Sequence, residues 1–596
     1  MNLQTAVQAI LTQAVQRCLD EGDFSAPVPE VVMGHPKRPE HGDFACNVAL
    51  ALAGPAKRKP RDLAETIVSR IADPEGLIAG ADIAGPGFIN IRLAQSVWHR
   101  LLGDILEAGE TWGAGESRES PRVLIEFVSA NPTGPLHVGH GRGAVVGDAL
   151  ARLLRLAGYP VTTEYYLNDA GSQVQKLARS LQYRALELVA ARDGSGAAPT
   201  EPAEGDWYPG EYVIEAAQRY LDEVGDPPVG EVTGEALAEM VAFAVEQMRL
   251  SIAATLDRLN ISFDVWFSEK SLHDSGALTA AMDQMRGAGH LFDQEGSTWF
   301  RSTAFGDEKD RVVVRHSGEP TYFASDIAYH RDKYERGFDH LINIWGADHH
   351  GYIPRMKGAA QALGHTAESL ECLLVQFVAL LRGGEKVKQG KRLGQFVTVD
   401  EVVDQVGADV ARYFFLERKF DAQVDFDLDV ALSEDPKENP AKYTQYGHAR
   451  ACSILAKAEA DLGETVPAYD PALAARLTHP DEIAILRRLA DFPVLVSEAA
   501  QAREPHRIVT WLHDLARAFQ SYYTRLRRED DTVLPPASQR EAGWEERWDV
   551  DKMKARLMWV DAIRIVSKNA LTLLGLEAPT YMTRLEDPDV SGGEDA

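Results

Sequence analysis

Two histidines three positions apart, His137 and His140, stand inside a glycine-rich run, SANPTGPLHVGHGRGAVVGDAL, that carries the clearest chemistry in the chain. Gly134, Gly139, Gly141 and Gly143 let the backbone come close to a ligand. A helical pattern opens at Val138, and the free N–H groups and positive dipole end of a helix start attract anions. With two imidazole donors beside it, the stretch reads as a site for the oxygens of a triphosphate. The alternatives are a histidine pair on a metal, for which no third Cys, Asp or His stands at ligand spacing, and a plain structural turn. A second stretch, GGEKVKQGKRLGQFVTVDEVV, is basic and holds Lys388 and Lys391, followed by Arg392. Mobile lysines can neutralise charge that builds on a departing pyrophosphate, although standing alone the stretch would read as a solvated loop.

These residues need a frame. VLIEFV (123–128) is an apolar run of strand length, broken by SANPTGP. From Val138 onward Val145, Val146, Ala149, Leu150, Leu153, Leu154 and Ala157 fall on one helical face, Gly158 stops the pattern, and VTTEYYL (161–167) reads as the next strand. Strand, Gly/Pro loop, helix, strand is the grammar of a parallel sheet that binds its ligand at the carboxyl ends of the strands. From about Asp169 to Asp293 the patterns turn helical, interrupted by the polar stretch 191–206, and strand-like RVVVRH, TYFASD, HLINIWG and CLLVQFVALL follow. The predicted sheet is thus split by a helical insertion around 169–293.

The flanks differ from this centre. Leu3, Val7, Ile10, Leu11, Ala14, Val15 and Leu19 predict an opening amphipathic helix; Pro60 before Asp62 marks a further helix start, and GADIAGPGFINIRL reads as strand, turn, strand. Residues 1–112 form a predicted small α+β domain. After VDFDLDVAL (424–432) the strands stop, and helical patterns run on to an acidic tail, EDPDVSGGEDA, so 433–596 is predicted to be an α-helical domain. Asp plus Glu number 90 against 62 for Lys plus Arg, a formal charge of −28, which excludes a polybasic binder as a whole-chain description. Nucleic-acid contact must come from local basic patches such as Arg525, Arg527, Arg528, Lys552, Lys554 and Arg556. Cys18, Cys46, Cys372 and Cys452 lie far apart, with no C-x-x-C pair, so neither a disulfide framework nor a structural zinc site is expected. No apolar run reaches the roughly 20 residues that span a bilayer, and the expectation is a cytoplasmic protein.

H137-V-G-H140 at the first strand-to-helix turn resembles the H-I-G-H signature of class I aminoacyl-tRNA synthetases, and A130-N-P-T-G-P-L-H-V-G-H140 resembles the form found in arginyl-tRNA synthetases. The basic stretch is similar to the second class I motif, K-M-S-K-S or K-M-S-K-R, and the following G-x-F-V-T. Aligned on Gly384, Glu385 and Phe396, its lysines become Lys388 and Lys391, while Gln389 and Gly390 stand where Met and Ser are usual. GDFACNVAL and GPGFINIRL resemble the family's extra N-terminal domain, which touches the tRNA elbow. N439-P-A-K-Y-T-Q-Y-G-H-A-R450 and LTLLGLEAPTYM resemble the entry and end of its helical anticodon-binding domain.

The resemblance implies an arginine–tRNA ligase with a class I Rossmann-like α/β catalytic domain over 120–432, which forms arginyl-adenylate from ATP and L-arginine and transfers the arginyl group to its tRNA. It implies His137, His140, Lys388 and Lys391 as catalytic groups and Gly134, Pro135, Leu136, Val138 and Gly139 beside them around ATP. For arginine it implies Asn131 at the α-amino group, and Tyr322, Asp326 and Glu269 at the side chain, where a planar guanidinium suits paired carboxylates. His350 lies at a further polar position, with His349 or Asp348 as alternatives; Glu126 is a candidate pocket support. Tyr443, Gln445, Tyr446, His448 and Arg450 mix aromatic faces and donors that suit unstacked anticodon bases, with core packing as the other reading. Mg2+ is expected with ATP, no resident metal is, adenylate formation is expected to wait for bound tRNA, and the chain is expected to act as a monomer. Two rivals stay open: a class I synthetase for another amino acid, and an inert tRNA-binding paralogue.

Overall fold

The computed structural model describes residues 3–34, 36, 41–194, 199–203, 205–387, 397–540 and 543–582. At its centre, five parallel strands lie in the spatial order Leu370–Val375, His340–Gly346, Val123–Glu126, Val161–Leu167, Val265–Ser268. The middle strand, VLIE, is buried at every position, as a strand covered on both faces must be. Register sets one polar row across this apolar sheet: Asn343 lies beside Glu126, and Glu126 beside Glu164. All three are buried. The helix Val138–Leu156 connects the strands 123–126 and 161–167, and its Gly147 meets the Phe127 ring so closely that a Cβ would sit 2.3 Å from it.

Three readings of the sequence change. The segment TYFASD starts the helix Tyr322–Glu335: Phe323, Ala324, Ile327 and Ala328 are buried at helical spacing, which outweighs the strand-like residue types. The strand Val265–Ser268, inside the stretch expected to be a helical insertion, is the edge of the parallel sheet. The helices Ser172–Asp193, Glu211–Glu223 and Gly234–Arg258 precede it and share a separate apolar cluster around Leu177, Tyr220 and Met248. RVVV (311–314) belongs to an antiparallel three-stranded sheet with 291–294 and 297–300 rather than to the central one.

The first hundred residues fold as a four-stranded antiparallel sheet with helices, beginning with Leu3–Asp20, whose Val7, Leu11, Ala14, Val15 and Cys18 face inward. At the other end, the long helices Pro440–Leu462, Pro480–Ala502, His506–Arg528 and Val550–Leu573 pack together. The acidic tail lies outside the described residues.

Candidate functional site

His137 is the N-cap of the helix Val138–Leu156. Its Nδ1 accepts from Gly139 N at 3.1 Å, and His140 Nδ1 accepts from His137 N at 3.4 Å. This is a reciprocal cap of the kind usually built from Ser or Thr and Glu, here made by two imidazoles. The rings stack with centroids 3.6 Å apart. Burial pulls the His137 pKa down, and it pulls His140 to about 4 with His137 adding to the effect. Both rings are therefore neutral near pH 7. With each Nδ1 accepting, the hydrogen-bond pattern assigns the ring proton to Nε2, which makes Nε2–H the donor each ring can present.

The same turn is held from the far side of the sequence. Val138 N donates to Val397 O at 3.1 Å, and Val399 N to Leu136 O at 2.9 Å. Thr398 caps the helix Val399–Val406 through its hydroxyl, which accepts from Glu401 N at 3.1 Å. The residues just after the basic stretch are thus bonded to the histidine turn. Lys388 and Lys391, with Gln389, Gly390 and Arg392, lie outside the described residues. Gly141 serves packing more than ligand approach, since a Cβ there would lie 2.9 Å from Val399 Cγ2.

A second group gathers carboxylates. Asp326 sits one turn into the helix Tyr322–Glu335, and the Tyr352 hydroxyl donates to its Oδ2. Burial raises the Asp326 pKa to about 7; the Tyr352 bond and Lys333 oppose this, while the charges of Glu126 and Glu269 add to it. Glu269, 4% exposed, follows the strand 265–268 directly. Its pKa also rises to about 7, mainly through burial, against hydrogen bonds from Tyr166 and Ser325. Turned so that both its ends are satisfied, the Asn168 amide donates to Glu269 Oε2 at 2.9 Å. Burial pushes the Tyr166 phenol up, and Glu269, Asp326 and Glu126 each add to that, so one hydroxyl senses all three acids. Such a cluster suits a cation that brings several donors.

Between the two groups runs the loop after Glu126. Val128 (φ 67°) and Ser129 (φ 40°) both hold left-handed backbone, an unusual state for residues with side chains and one that clusters at functional sites. Ser129 Oγ donates to Glu126 Oε1 at 3.0 Å and accepts from Tyr166 N at 3.1 Å; the Tyr165 hydroxyl donates to Ala130 O at 2.8 Å. Asn131 follows, exposed. Pro135 is exposed and Leu136 buried, and the Tyr212 hydroxyl donates to Thr133 O at 2.6 Å from the helical insertion. Tyr322 is 61% exposed, and His350 is exposed on the short 3-10 turn Ala347–Tyr352, as are Asp348 and His349. It is Tyr352 of this turn that reaches Asp326. Tyr166, Tyr352, Asn168 and Ser325 were not found by sequence reading, because only the fold brings them to Glu269 and Asp326.

The proposed base-reading group comes out differently. Gln445, Tyr446 and His448 are buried. Gln445 donates to Asp409 Oδ2 at 2.6 Å, His448 Nδ1 meets Ser567 Oγ at 3.1 Å, and Tyr446 accepts from Arg450 at 2.8 Å. Their surfaces are taken up by helix packing, because the helix Pro440–Leu462 is central to its domain and turns these positions inward. Tyr443 and Arg450 stay half-buried. Of the basic residues, Arg556 is buried on Glu482 and Asp531, and Arg525, Lys552 and Lys554 pair with Asp481, Asp531 and Glu464; Arg527 and Arg528 are exposed. Among the described residues no His, Cys, Asp and Glu group of three or more could hold a metal ion.

Three family models match successive parts of the chain: the arginyl tRNA synthetase N-terminal domain over 1–93, the catalytic domain of class I (R) tRNA synthetases over 102–426, and the DALR anticodon-binding domain over 444–582. An arginine–tRNA ligase of Desulforamulus reducens is 43% identical, covering 98% of this chain and 99% of its own. That of Bacillus subtilis is 40% identical over 98% of this chain and 100% of its own. The solved arginyl-tRNA synthetase of Thermus thermophilus has the same fold, with a TM-score of 0.69 at 23% identity, and covers 97% of this chain and 100% of its own.

Proposed function

The chain belongs to the arginyl-tRNA synthetase family, and we propose that it ligates L-arginine to its tRNA with the site described above. The observation that carries the substrate choice is the convergence of Asp326 and Glu269, two acids that burial holds near neutrality in the absence of a cation. A guanidinium is permanently charged and presents donors in a planar fork, so it returns both groups to their ionised form and bonds to them directly. Asn131 takes the α-amino group, Tyr322 packs on the side chain, and His350 is a polar contact at the rim.

No protein nucleophile is required. The arginine carboxylate attacks the α-phosphorus of ATP, the bond to pyrophosphate breaks, and arginyl-adenylate forms. A hydroxyl of the terminal ribose of the tRNA then attacks the carbonyl carbon, and AMP departs. The enzyme's part is position and charge. Residues Gly134–His140 line ATP. His137 and His140 donate from Nε2 to phosphate oxygens at the helix start, and Lys388 and Lys391 neutralise the leaving pyrophosphate. Mg2+ enters with ATP as part of the substrate, because it is commonly held by phosphates rather than a dedicated protein cage.

The N-terminal domain (1–112) meets the tRNA elbow and the helical domain (433–596) its anticodon, where half-buried Tyr443 and Arg450 and exposed Arg527 and Arg528 are the available contacts. The chain is read as a cytoplasmic monomer that carries the N-terminal, catalytic and anticodon-binding parts together. No helix among the described residues is long and apolar enough to cross a membrane. The test is a charging assay with ATP, tRNA and each amino acid in turn. Arginine alone should be attached; attachment of another amino acid, or of none, would replace this reading by one of its rivals.

A further inference from the structure

We propose that Lys333 is a positioning residue for arginine, acting through the sheet rather than on the substrate. This rests on the arginine pocket proposed above and adds to it a residue that touches no ligand.

Lys333 is fully buried, two turns beyond Asp326 on the helix Tyr322–Glu335. It lies against the polar row that register draws across the parallel sheet. Its Nζ donates to Glu126 Oε2 at 2.6 Å and to Asn343 Oδ1 at 3.2 Å, and sits 4.0 Å from the centre of the Tyr329 ring. The third member of the row, Glu164, is met by Arg336 and by the Tyr329 hydroxyl, so each acid of the row has its own cation, Lys333 within this helix and Arg336 at its C-cap.

Two chains of contacts lead from Lys333 to opposite sides of the pocket. In the first, Lys333 holds one oxygen of Glu126, and the other oxygen accepts from Ser129 Oγ at 3.0 Å. Ser129 carries left-handed backbone and stands two residues before Asn131. A carboxylate pinned on both oxygens fixes where that strained turn leaves the strand, and hence where Asn131 waits for the α-amino group. In the second, Asn343 takes the lysine on its oxygen and meets His330 Nε2 with its amide at 2.8 Å. His330 Nδ1 in turn meets the backbone carbonyl of Asp326 at 2.8 Å. The lysine thereby ties the strand that presents one end of arginine to the helix that presents the acid for its other end. A buried charge costs several kcal/mol to desolvate and is weak evidence for stability alone, so its use in setting geometry is the stronger account.

The test compares Lys333→Met, Asn343→Ala and Asp326→Asn, each with the KM of arginine, ATP and tRNA and the kcat of charging. Lys333→Met is expected to raise the arginine KM about 30-fold while ATP and tRNA KM stay within about threefold. Because it leaves Glu126 buried without its cation, it can also fail to fold. Asn343→Ala cuts the second chain without stranding a charge and should raise the arginine KM about tenfold. A folded Lys333→Met, or a folded Asn343→Ala where the first does not fold, with wild-type arginine KM and only a lower active fraction would overturn the proposal. Asp326→Asn separates the two readings: if it too leaves the arginine KM unchanged, the pocket itself has been misplaced.

Discussion

Asp326 and Glu269 share an unusual state, since both have a pKa near 7 before substrate arrives. The free acids rest at 3.8 and 4.5, so each contributes stability to the empty fold below about pH 4 and loses that contribution as pH rises through about 7. A permanently charged guanidinium binds the ionised forms. The arginine KM should therefore fall as pH rises from 6 to 8, and binding should release protons, which calorimetry in buffers of different ionisation enthalpy measures. A flat KM across that range would mean that the acids do not face the substrate. Asp326→Asn keeps the shape and removes the charge. With a charge-assisted bond worth about 1.5–3 kcal/mol, the expected rise in arginine KM is about 10-fold to 100-fold. The histidines should behave differently. His137→Ala or His140→Ala removes a donor to the phosphates, so adenylate formation should slow by about 10²–10³ while arginine KM barely moves. Unchanged adenylate formation in both variants would remove them from the phosphate site. The histidines stand out in the sequence by type and spacing. Asp326 and Glu269 were singled out only through the resemblance, since a carboxylate alone at either place reads as a surface group or ion-pair partner. Lys333, Tyr352 and Tyr166 were not legible in either way, since each acquires its role only from the sheet register or the fold of a distant turn.

At the scale of elements, what could be read from sequence was what periodicity controls. The strand VLIE and the helix from Val138 stand where their apolar patterns put them. The segment TYFASD was misread because Thr, Tyr and Phe are β-favouring residue types, whereas the period of 3.6 emerges only once Ile327 and Ala328 are counted with it. The pairing of the histidine turn with residues 397–399 could not be seen at all, because nothing in either local pattern refers to the other. That pairing holds residues 397–399 against the helix start, and Arg142 of the same helix, fully buried, donates to the carbonyls of Gln376, Ala422 and Lys419. Gly141→Ala tests the contact. The added methyl would meet Val399 Cγ2 at 2.9 Å and the Phe415 ring at 3.4 Å, both on buried side chains. The segment 397–399 should be pushed from the helix start, so kcat is expected to fall about tenfold with arginine KM within about threefold. Alanine is the better helix former by about 1 kcal/mol, so any loss of activity arises despite a local gain in helix propensity. Wild-type kcat in this variant would show that the pairing does not set the phosphate site.

Across the whole molecule, the outer domains meet each other as well as the centre. The helix Gln95–Ala108 and the turn after it rest on the C-terminal helices: Trp112 Nε1 donates to Leu489 O at 2.9 Å, Asn569 donates to the carbonyls of Gly109 and Trp112, and Arg487 pairs with Asp43 at 3.0 Å. The catalytic unit joins this frame through Arg412, fully buried, which bonds Asp148 of the histidine-bearing helix at 2.5 Å and the carbonyls of Leu259 and Leu574. Removing one partner of such a buried pair typically costs about 3–5 kcal/mol, which makes this junction structural before anything else. At the seam between the outer domains, Trp112 and Asn569 are half-buried, so this part of it can be altered away from the buried centre. Trp112→Ala removes an indole and its hydrogen bond from that seam while leaving the histidine turn and the acid cluster untouched. If the two domains hold the elbow and the anticodon of one tRNA, their fixed spacing lowers the cost of binding both ends together. Loosening the seam should then raise the tRNA KM by about threefold to tenfold, equivalent to about 0.7–1.4 kcal/mol. At saturating tRNA, kcat and the KM of arginine and ATP should stay within about twofold of wild type. Titration of the charging rate with tRNA measures this directly: an unchanged tRNA KM in a folded Trp112→Ala variant would mean that the domains grip tRNA independently and that the seam serves only stability.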